Sequence, residues 1–400
     1  MPLSVAIAGA GPAGLAAGLL LARAGHRVVI HERFETPRPV GSGLLLQPPG
    51  LAVLDDLGLG EEMRAHGRPI ARLSGRRASD GRVVLDVHYD ALGAGTRGLA
   101  VHRSALFGVL HDAAQRQGLA FETGKEIAGL ERAADGKPRL VDAQGRAGPA
   151  FDLVIDATGS HSPLSGLCGP ARAKPLAYGA LWASLPWPGE PFLGDALEQR
   201  YRAASVMIGV LPVGCRHGEE GQTATFFWSL KAAAYDTWRE RGLDAWKAEV
   251  LPLWPQVEPL LAGINHPDQL ALARYDHRTL ARPFGERLAV IGDAAHSTSP
   301  QLGQGANMAL IDAAVLAWAL ERHADIQDAL AAYARLRRAH VRLYQALSLA
   351  LTPVYQSDSR ILPLARDVFL SSAVKLPFVP AILAKMVAGV LIDPLAAIRD

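Results

Sequence analysis

Gly9, Gly11 and Gly14 stand at the G-x-G-x-x-G spacing, within Gly9-Ala10-Gly11-Pro12-Ala13-Gly14, that brings backbone against a dinucleotide pyrophosphate. The first glycine permits a tight turn, the second a close approach to phosphate, and the third tight packing of helix on strand. Leu3–Ala8 before the turn reads as a buried strand, and Leu15–Ala24 after it as a helix stopped by Gly25. Free N–H groups at the start of that helix face the phosphates. Arg27–Glu32 reads as a second strand, ending in an acid 18 residues after Gly14, where a carboxylate accepts hydrogen bonds from a ribose. These residues define a dinucleotide site without separating FAD from NAD.

A second constellation lies about 280 residues further on. The apolar run Arg287–Ile291 ends in Gly292-Asp293, and Pro300, Gly303, Gly305, Ala306 and Asn307 lead into a long helix starting near Asn307. Asp293 at a strand end accepts hydrogen bonds from sugar hydroxyls. Amides of the turn before the helix favour negative charge on whatever lies against them.

Those residues need a fold that unites distant segments, and the composition allows one. Four hundred residues give a soft expectation of two to three domains, and 49% hydrophobic content can fill a sizeable core. The balance of 41 Lys+Arg against 39 Asp+Glu argues against a nucleic-acid partner. Cys168 and Cys215 cannot make a disulfide framework or a four-ligand zinc site, so a reducing cytoplasm is the expected location and no metal is expected. Met1–Ala22 is uncharged, yet Gly9, Gly11, Pro12, Gly14 and Gly18 divide it into strand, turn and helix rather than a membrane span.

Gly292-Asp293-Ala294-Ala295-His296, then Pro300, then Gly303-x-Gly305-x-Asn307 and Asp312-Ala313 resemble the second FAD motif of the flavoprotein aromatic hydroxylases. Glu32-Arg33, Gly41–Pro48 and Val101-His102-Arg103 fit the same family, which includes para-hydroxybenzoate hydroxylase. The resemblance covers about residues 3–170 and 270–345. It implies FAD as cofactor, NAD(P)H as electron donor, and a monooxygenase. Such an enzyme inserts one O2-derived oxygen into a hydrophobic or aromatic small molecule through a flavin C4a-hydroperoxide. Carried over, Gly9, Gly11, Pro12, Ala13, Gly14, Glu32, Arg33, Gly43, Leu44, Arg103, Gly159, Asp293, Pro300, Gly303, Gly305, Ala306 and Asn307 would bind FAD. Pro300 is placed nearest the oxygen-transfer face, and no general base is named. One motif departs: Asp156-Ala157-Thr158-Gly159-Ser160-His161-Ser162-Pro163-Leu164-Ser165 has Thr158 where the family has Asp and Ser165 where it has Arg. That keeps a reductase or dehydrogenase on the same fold as an alternative; a non-catalytic FAD-binding redox or interaction module is another. His296 is expected to bond structurally.

The implied fold class is α/β: a discontinuous Rossmann-like FAD domain (1–70, 100–175 and 271–345) with an inserted mixed or antiparallel substrate domain (71–99 and 176–270). Strand-like runs at Ala180–Ser184, Ser205–Leu211 and Thr223–Leu230, then a helical stretch at Ala233–Val250, fit the insert. Trp182, Met207 and Phe227 are candidate pocket residues; Phe226 and Trp228 fall on the other face of their strand. Residues 346–400 read as a helical segment packed on the body and available for peripheral membrane contact. The protein is expected to be a monomer or homodimer.

Overall fold

The computed structural model describes residues 1–36, 41–170, 173–373 and 376–399. A parallel sheet runs in the order Leu288–Val290, Leu153–Asp156, Ser4–Ala8, Arg27–His31, Ala120–Glu122, with Phe284–Gly285 antiparallel on its edge. Ala8 aligns with Asp156, and Asp156 with Val290, so both motifs end at the same edge of one sheet. Its central strand, Ser4–Ala8, is apolar because both faces are covered. On one face lie the helices α1 (Pro12–Arg23), α2 (Arg103–Arg116) and, past the inserted sheet, α4 (Gly305–Arg322). The other face is capped by the antiparallel strands Ile127–Arg132, Pro138–Asp142 and Ala147–Ala150.

Above this layer stands a seven-stranded sheet, ordered Ala271–Ala273, Tyr178–Pro186, Thr223–Lys231, Val206–Gly214, Ala196–Arg202, Arg72–Arg77, Val83–His88. Alternation divides its faces. Leu181, Phe226, Trp228 and Ile208 pack beneath α3 (Tyr235–Val250) with Trp246 and Trp254, whereas Met207, Phe227 and Tyr201 face the opposite way. Strands from 70–99 join this sheet, but Gly98–His102 pairs with Gly43–Leu46 and Arg68–Ile70 in a separate small sheet.

The chain ends in α5 (Ile326–Tyr355), α6 (Leu362–Ala373) and α7 (Val379–Val387). A single helix runs across position 346, where a domain boundary is expected from the sequence; Pro353 sits in its last turn, where it forgoes one i→i−4 bond, and the helix ends two residues later. Helix α4 likewise starts at Gly305, two residues before Asn307. Among the described residues, no helix is long and apolar enough to cross a membrane.

Candidate functional site

The glycine turn joins Ser4–Ala8 to α1. Gly9 holds φ at +103°, and a Cβ there would meet the Ala157 carbonyl oxygen at 2.5 Å. At Gly14 a Cβ would lie 2.0 Å from the Gly9 oxygen, which is the tight helix–strand contact expected of the third glycine. Gly11 differs: a Cβ would meet nothing within 4 Å, so the space over the start of α1, where Pro12 and Ala13 form the first turn, is open. Glu32 lies just past the second strand. Its Oε2 accepts from Ala10 N at 2.9 Å and its Oε1 from Phe34 N at 3.1 Å, and each oxygen keeps capacity for a hydroxyl donor. Arg33 is exposed, its guanidinium 4.8 Å from the Phe34 ring centre.

Asp293 opens the four-residue helix after Gly292 and stays accessible in the cleft. The protein around it raises its carboxyl pKa by desolvation, against the pull of His296 and Arg103. Arg103 begins α2, and Gly41 passes so close that a Cβ would reach Arg103 Cδ at 2.7 Å. A 3-10 turn, Pro300–Leu302, ends in left-handed Gly303 before α4. A Cβ on Gly305 would stand 3.7 Å from Asp293 Oδ1, and Gly159 and Gly303 have open space at theirs. Gly305, Ala306 and Asn307 form the first turn of α4, whose N–H groups have no partner inside the helix.

Two expected contacts take a different form. The Asn307 side chain is wholly buried and already engaged: Oδ1 accepts from Gln47 N (2.7 Å), and Nδ2 donates to Leu45 O (3.1 Å) and Gly303 O (3.0 Å). It ties the turn to the Gly43–Leu46 strand and leaves only its backbone for a ligand. Gly43 is buried where a Cβ would strike Thr225 Oγ1 at 2.3 Å, so it serves close approach of two sheets, beside the half-buried Leu44.

Beneath the cleft is a charged scaffold that the motif hid. The Asp312 carboxylate, with no exposure, accepts from His296 Nε2 (2.6 Å), Gly292 N (2.8 Å) and Arg337 Nε (2.6 Å). Burial alone would raise its pKa, but His296 and Arg337 outweigh it and hold the carboxyl far below the ordinary range. Arg337 came unannounced, from α5. The 156–165 loop is also rebuilt. Asp156 takes Thr158 N (3.1 Å), Thr158 Oγ1 (2.6 Å) and Ser162 Oγ, while Arg278 Nη1 donates to Ser165 Oγ at 2.9 Å. Carboxylate and guanidinium at this loop therefore come from 156 and 278, not from 158 and 165.

Hydroxyls line the side facing the seven-stranded sheet. His102 Nδ1 accepts from Ser104 N (3.1 Å), its Nε2 lies 3.0 Å from Ser184 Oγ, and Ser42 Oγ bridges Ser184 (2.8 Å) and Thr225 (3.1 Å). Burial, with Arg216 nearby, depresses the His102 pKa to about 4, so the ring is neutral at pH 7. Trp182 is half-buried, donates from Nε1 to the Tyr275 hydroxyl (2.8 Å) and packs 4.8 Å from Phe227. Phe227 and Met207 are buried in one cluster with Tyr201 and Tyr355, whereas Trp182 is partly exposed. Among the described residues there is no cluster of His, Cys, Asp and Glu suited to a metal ion.

The residues fit FAD: open backbone over Gly11 and Gly303, a fixed carboxylate at Glu32, and an acid in the cleft at Asp293. A discontinuous dinucleotide fold with an inserted sheet and this pair of carboxylates is that of the FAD-dependent aromatic hydroxylase-type monooxygenases. The chain belongs to the family described as FAD binding domain, which matches residues 2–347. It is an FAD-dependent monooxygenase, and its homologues are named as monooxygenases and hydroxylases. It is 32% identical to a 2-heptyl-3-hydroxy-4(1H)-quinolone synthase of Mycobacteroides abscessus, covering 86% of this chain and 88% of that one. It is 30% identical to a phenazine 1,6-dicarboxylic acid hydroxylase of Lysobacter antibioticus, with 84% and 85% covered. In fold it superposes on the crystal structure of Klebsiella pneumoniae HpxO complexed with FAD and uric acid, with TM-score 0.81, 23% identity, and 96% and 97% covered.

Proposed function

We propose that this protein hydroxylates a planar aromatic heterocycle in the cytoplasm, drawing electrons from NAD(P)H and one oxygen atom from O2. The observation that carries the reading is the paired placement of Glu32 beside the glycine turn and Asp293 beside the α4 turn, at one edge of one sheet. In this reading the N–H groups at the start of α1 take the pyrophosphate and Glu32 takes the adenosine ribose. Asp293 takes the ribityl hydroxyls, with Arg103 alongside. Gly303–Asn307 present backbone to the flavin ring, and Pro300 lies nearest its reacting face. Bound FAD supplies the electron transfer and O2 activation that side chains cannot.

The rest of the chain positions and excludes water. Trp182 and Tyr275 offer aromatic surface to a flat substrate, and the neutral His102–Ser184–Ser42 chain offers both donors and acceptors to its polar edge. Relatives named for a heptyl-hydroxyquinolone and a phenazine dicarboxylic acid support a fused, nitrogen-containing ring as the substrate class. The test is to load the protein with FAD and offer quinolones and phenazines with NADH or NADPH under 18O2. The reading requires substrate-stimulated NAD(P)H oxidation and one heavy oxygen in the product. Substrate reduction without oxygen incorporation would support the dehydrogenase alternative instead.

A further inference from the structure

We propose that the outward face of α5, α6 and α7 is a docking surface for an anionic lipid membrane. From Ala329 to Ser357 the chain contains no Asp or Glu. Along that stretch α5 turns Arg335, Arg338 and Arg342 outward, and the same stripe continues through Ala346 to the exposed Leu349. Spacings of three and four residues keep these side chains on one side of a helix about 45 Å long.

The apolar part of the face begins where the basic part ends. Eleven large apolar side chains are exposed among the described residues, and eight of them lie between Leu349 and Ile392, so they are concentrated rather than scattered. Ile361 and Leu364 project from the start of α6, and Phe378 and Ile382 from α7. Helices α6 and α7 both pack on the Val83–His88 strand, α6 also packs on α5, and the end of α7 meets α5 through His340 and Tyr344, so the patch flanks the helix that carries the stripe. Arg360 and Lys385 are exposed within it. The exposed acids here are paired, Asp358 with Lys231 at 2.7 Å and Asp393 with Arg399 at 2.8 Å, and Asp367 is buried against Arg366 at 2.8 Å.

Apolar side chains edged by unpaired positive charge fit the boundary between acyl chains and anionic headgroups. A second copy of this chain fits less well, because a two-fold contact would bring two arginine stripes into one interface while the segment Ala329–Ser357 offers no acid to pair them. The inner face of α5 reaches the site: Ser348 Oγ and Thr352 Oγ1 lie 2.8 and 2.7 Å from Ser299 Oγ, next to Pro300. A docked α5 would thus have lipid on one side and the turn before α4 on the other. Docking stands whether or not the substrate reading above holds; delivery of a lipophilic ring from the bilayer rests on that reading.

The test uses the full chain loaded with FAD and measures cosedimentation with phosphatidylcholine vesicles, with and without about 30% phosphatidylglycerol. Binding should be at least tenfold stronger with the anionic lipid and weaken as salt shortens the Debye length below about 10 Å. Phe378→Glu with Ile382→Glu, and separately Arg338→Glu with Arg342→Glu, should each reduce binding at least tenfold while FAD content and melting temperature stay unchanged. Arg116→Glu, on α2, should have little effect. Failure to bind either vesicle would overturn the proposal, as would equal loss in the Arg116 control. So would a concentration-dependent dimer that Ile382→Glu converts to monomer, since a copy of the chain would then cover the face.

Discussion

His296 Nε2 lies 2.6 Å from Asp312 Oδ2, and the same oxygen accepts the Gly292 N–H at 2.8 Å, so one buried carboxylate fixes both ends of the turn that presents Asp293. Arg337 occupies its other oxygen. Asp312→Asn removes the charge and leaves Arg337 buried without its partner. Breaking a buried pair in this way costs about 3–5 kcal/mol. Urea denaturation should show a loss of that order, accompanied by weaker FAD retention; an unchanged midpoint would rule out the scaffold role. Since the Asp312 pKa is depressed in the folded state, its contribution is present above the ordinary carboxylate range and is lost only as pH falls far below it.

Glu32 joins two loops before any ligand arrives, through Ala10 N and Phe34 N. Glu32→Gln keeps an acceptor oxygen but loses the charge-assisted bond to a ribose hydroxyl. FAD affinity measured by fluorescence should fall about tenfold for Gln, equivalent to ~1.4 kcal/mol, and further for Ala. Equal affinities in all three proteins would remove Glu32 from the cofactor site.

His102 should report on pH. Its pKa is lowered to about 4 by burial, so the folded state prefers the neutral ring. That preference adds nothing to pH dependence above about 6.5, the unfolded value, and destabilises the fold as pH drops from there toward 4. Urea midpoints taken between pH 7 and pH 4 should decline, and the decline should be shallower in His102→Gln. Parallel curves would show that the ring titrates alike in both states.

The loop at Arg278 yields a further variant. Ser165 stands where the resembling family has arginine, and Arg278 donates to it from another segment. Arg278→Ala should raise the NAD(P)H concentration needed for half-maximal flavin reduction at least fivefold, with FAD content unchanged. Placing the charge back with Ser165→Arg should recover part of the loss. No recovery, with no initial loss, would leave Arg278 a structural bond only.

Legibility in the sequence followed how local the signal was. The turn from Gly9 to Gly14 and the acid at Glu32 were readable because spacing along one chain segment sets their geometry. Alternation separated Phe226 and Trp228 from Phe227 correctly, but it could not show that Tyr355, from the far end of α5, joins the cluster that buries Phe227 and Met207. Arg337 and Arg278 were invisible for the same reason: each meets its partner across a sequence gap (25 and 113 residues) that only the fold closes. Asn307 was recognised in its motif, yet its task is set by Gln47 and Leu45, which no pattern around Asn307 announces. The strand Ala196–Arg202 carries Glu198, Gln199 and two arginines, so neither apolar alternation nor a continuous apolar run marks it, and pairing with Arg72–Arg77 decides its state.

Asp293 separates stability from binding. The protein around it raises its carboxyl pKa by desolvation, so ionising it at pH 7 opposes folding of the ligand-free protein. Replacing Asp293 with Ala removes that opposition. The FAD-free variant should therefore melt at or above the temperature of FAD-free wild type. Its advantage should shrink as pH falls through the raised folded-state pKa and be gone below about 3.8, where both states bind the proton in the wild type. Binding should move the other way. With the acceptor for the ribityl hydroxyls gone, the variant should purify largely free of flavin and need at least a hundredfold more FAD for saturation, ~2.7 kcal/mol. A stabilised apoprotein with poor flavin uptake is the signature of a group kept for its ligand at a cost to the fold. Wild-type flavin content with unchanged affinity would sink the assignment, and a destabilised apoprotein would show that Asp293 holds the turn instead.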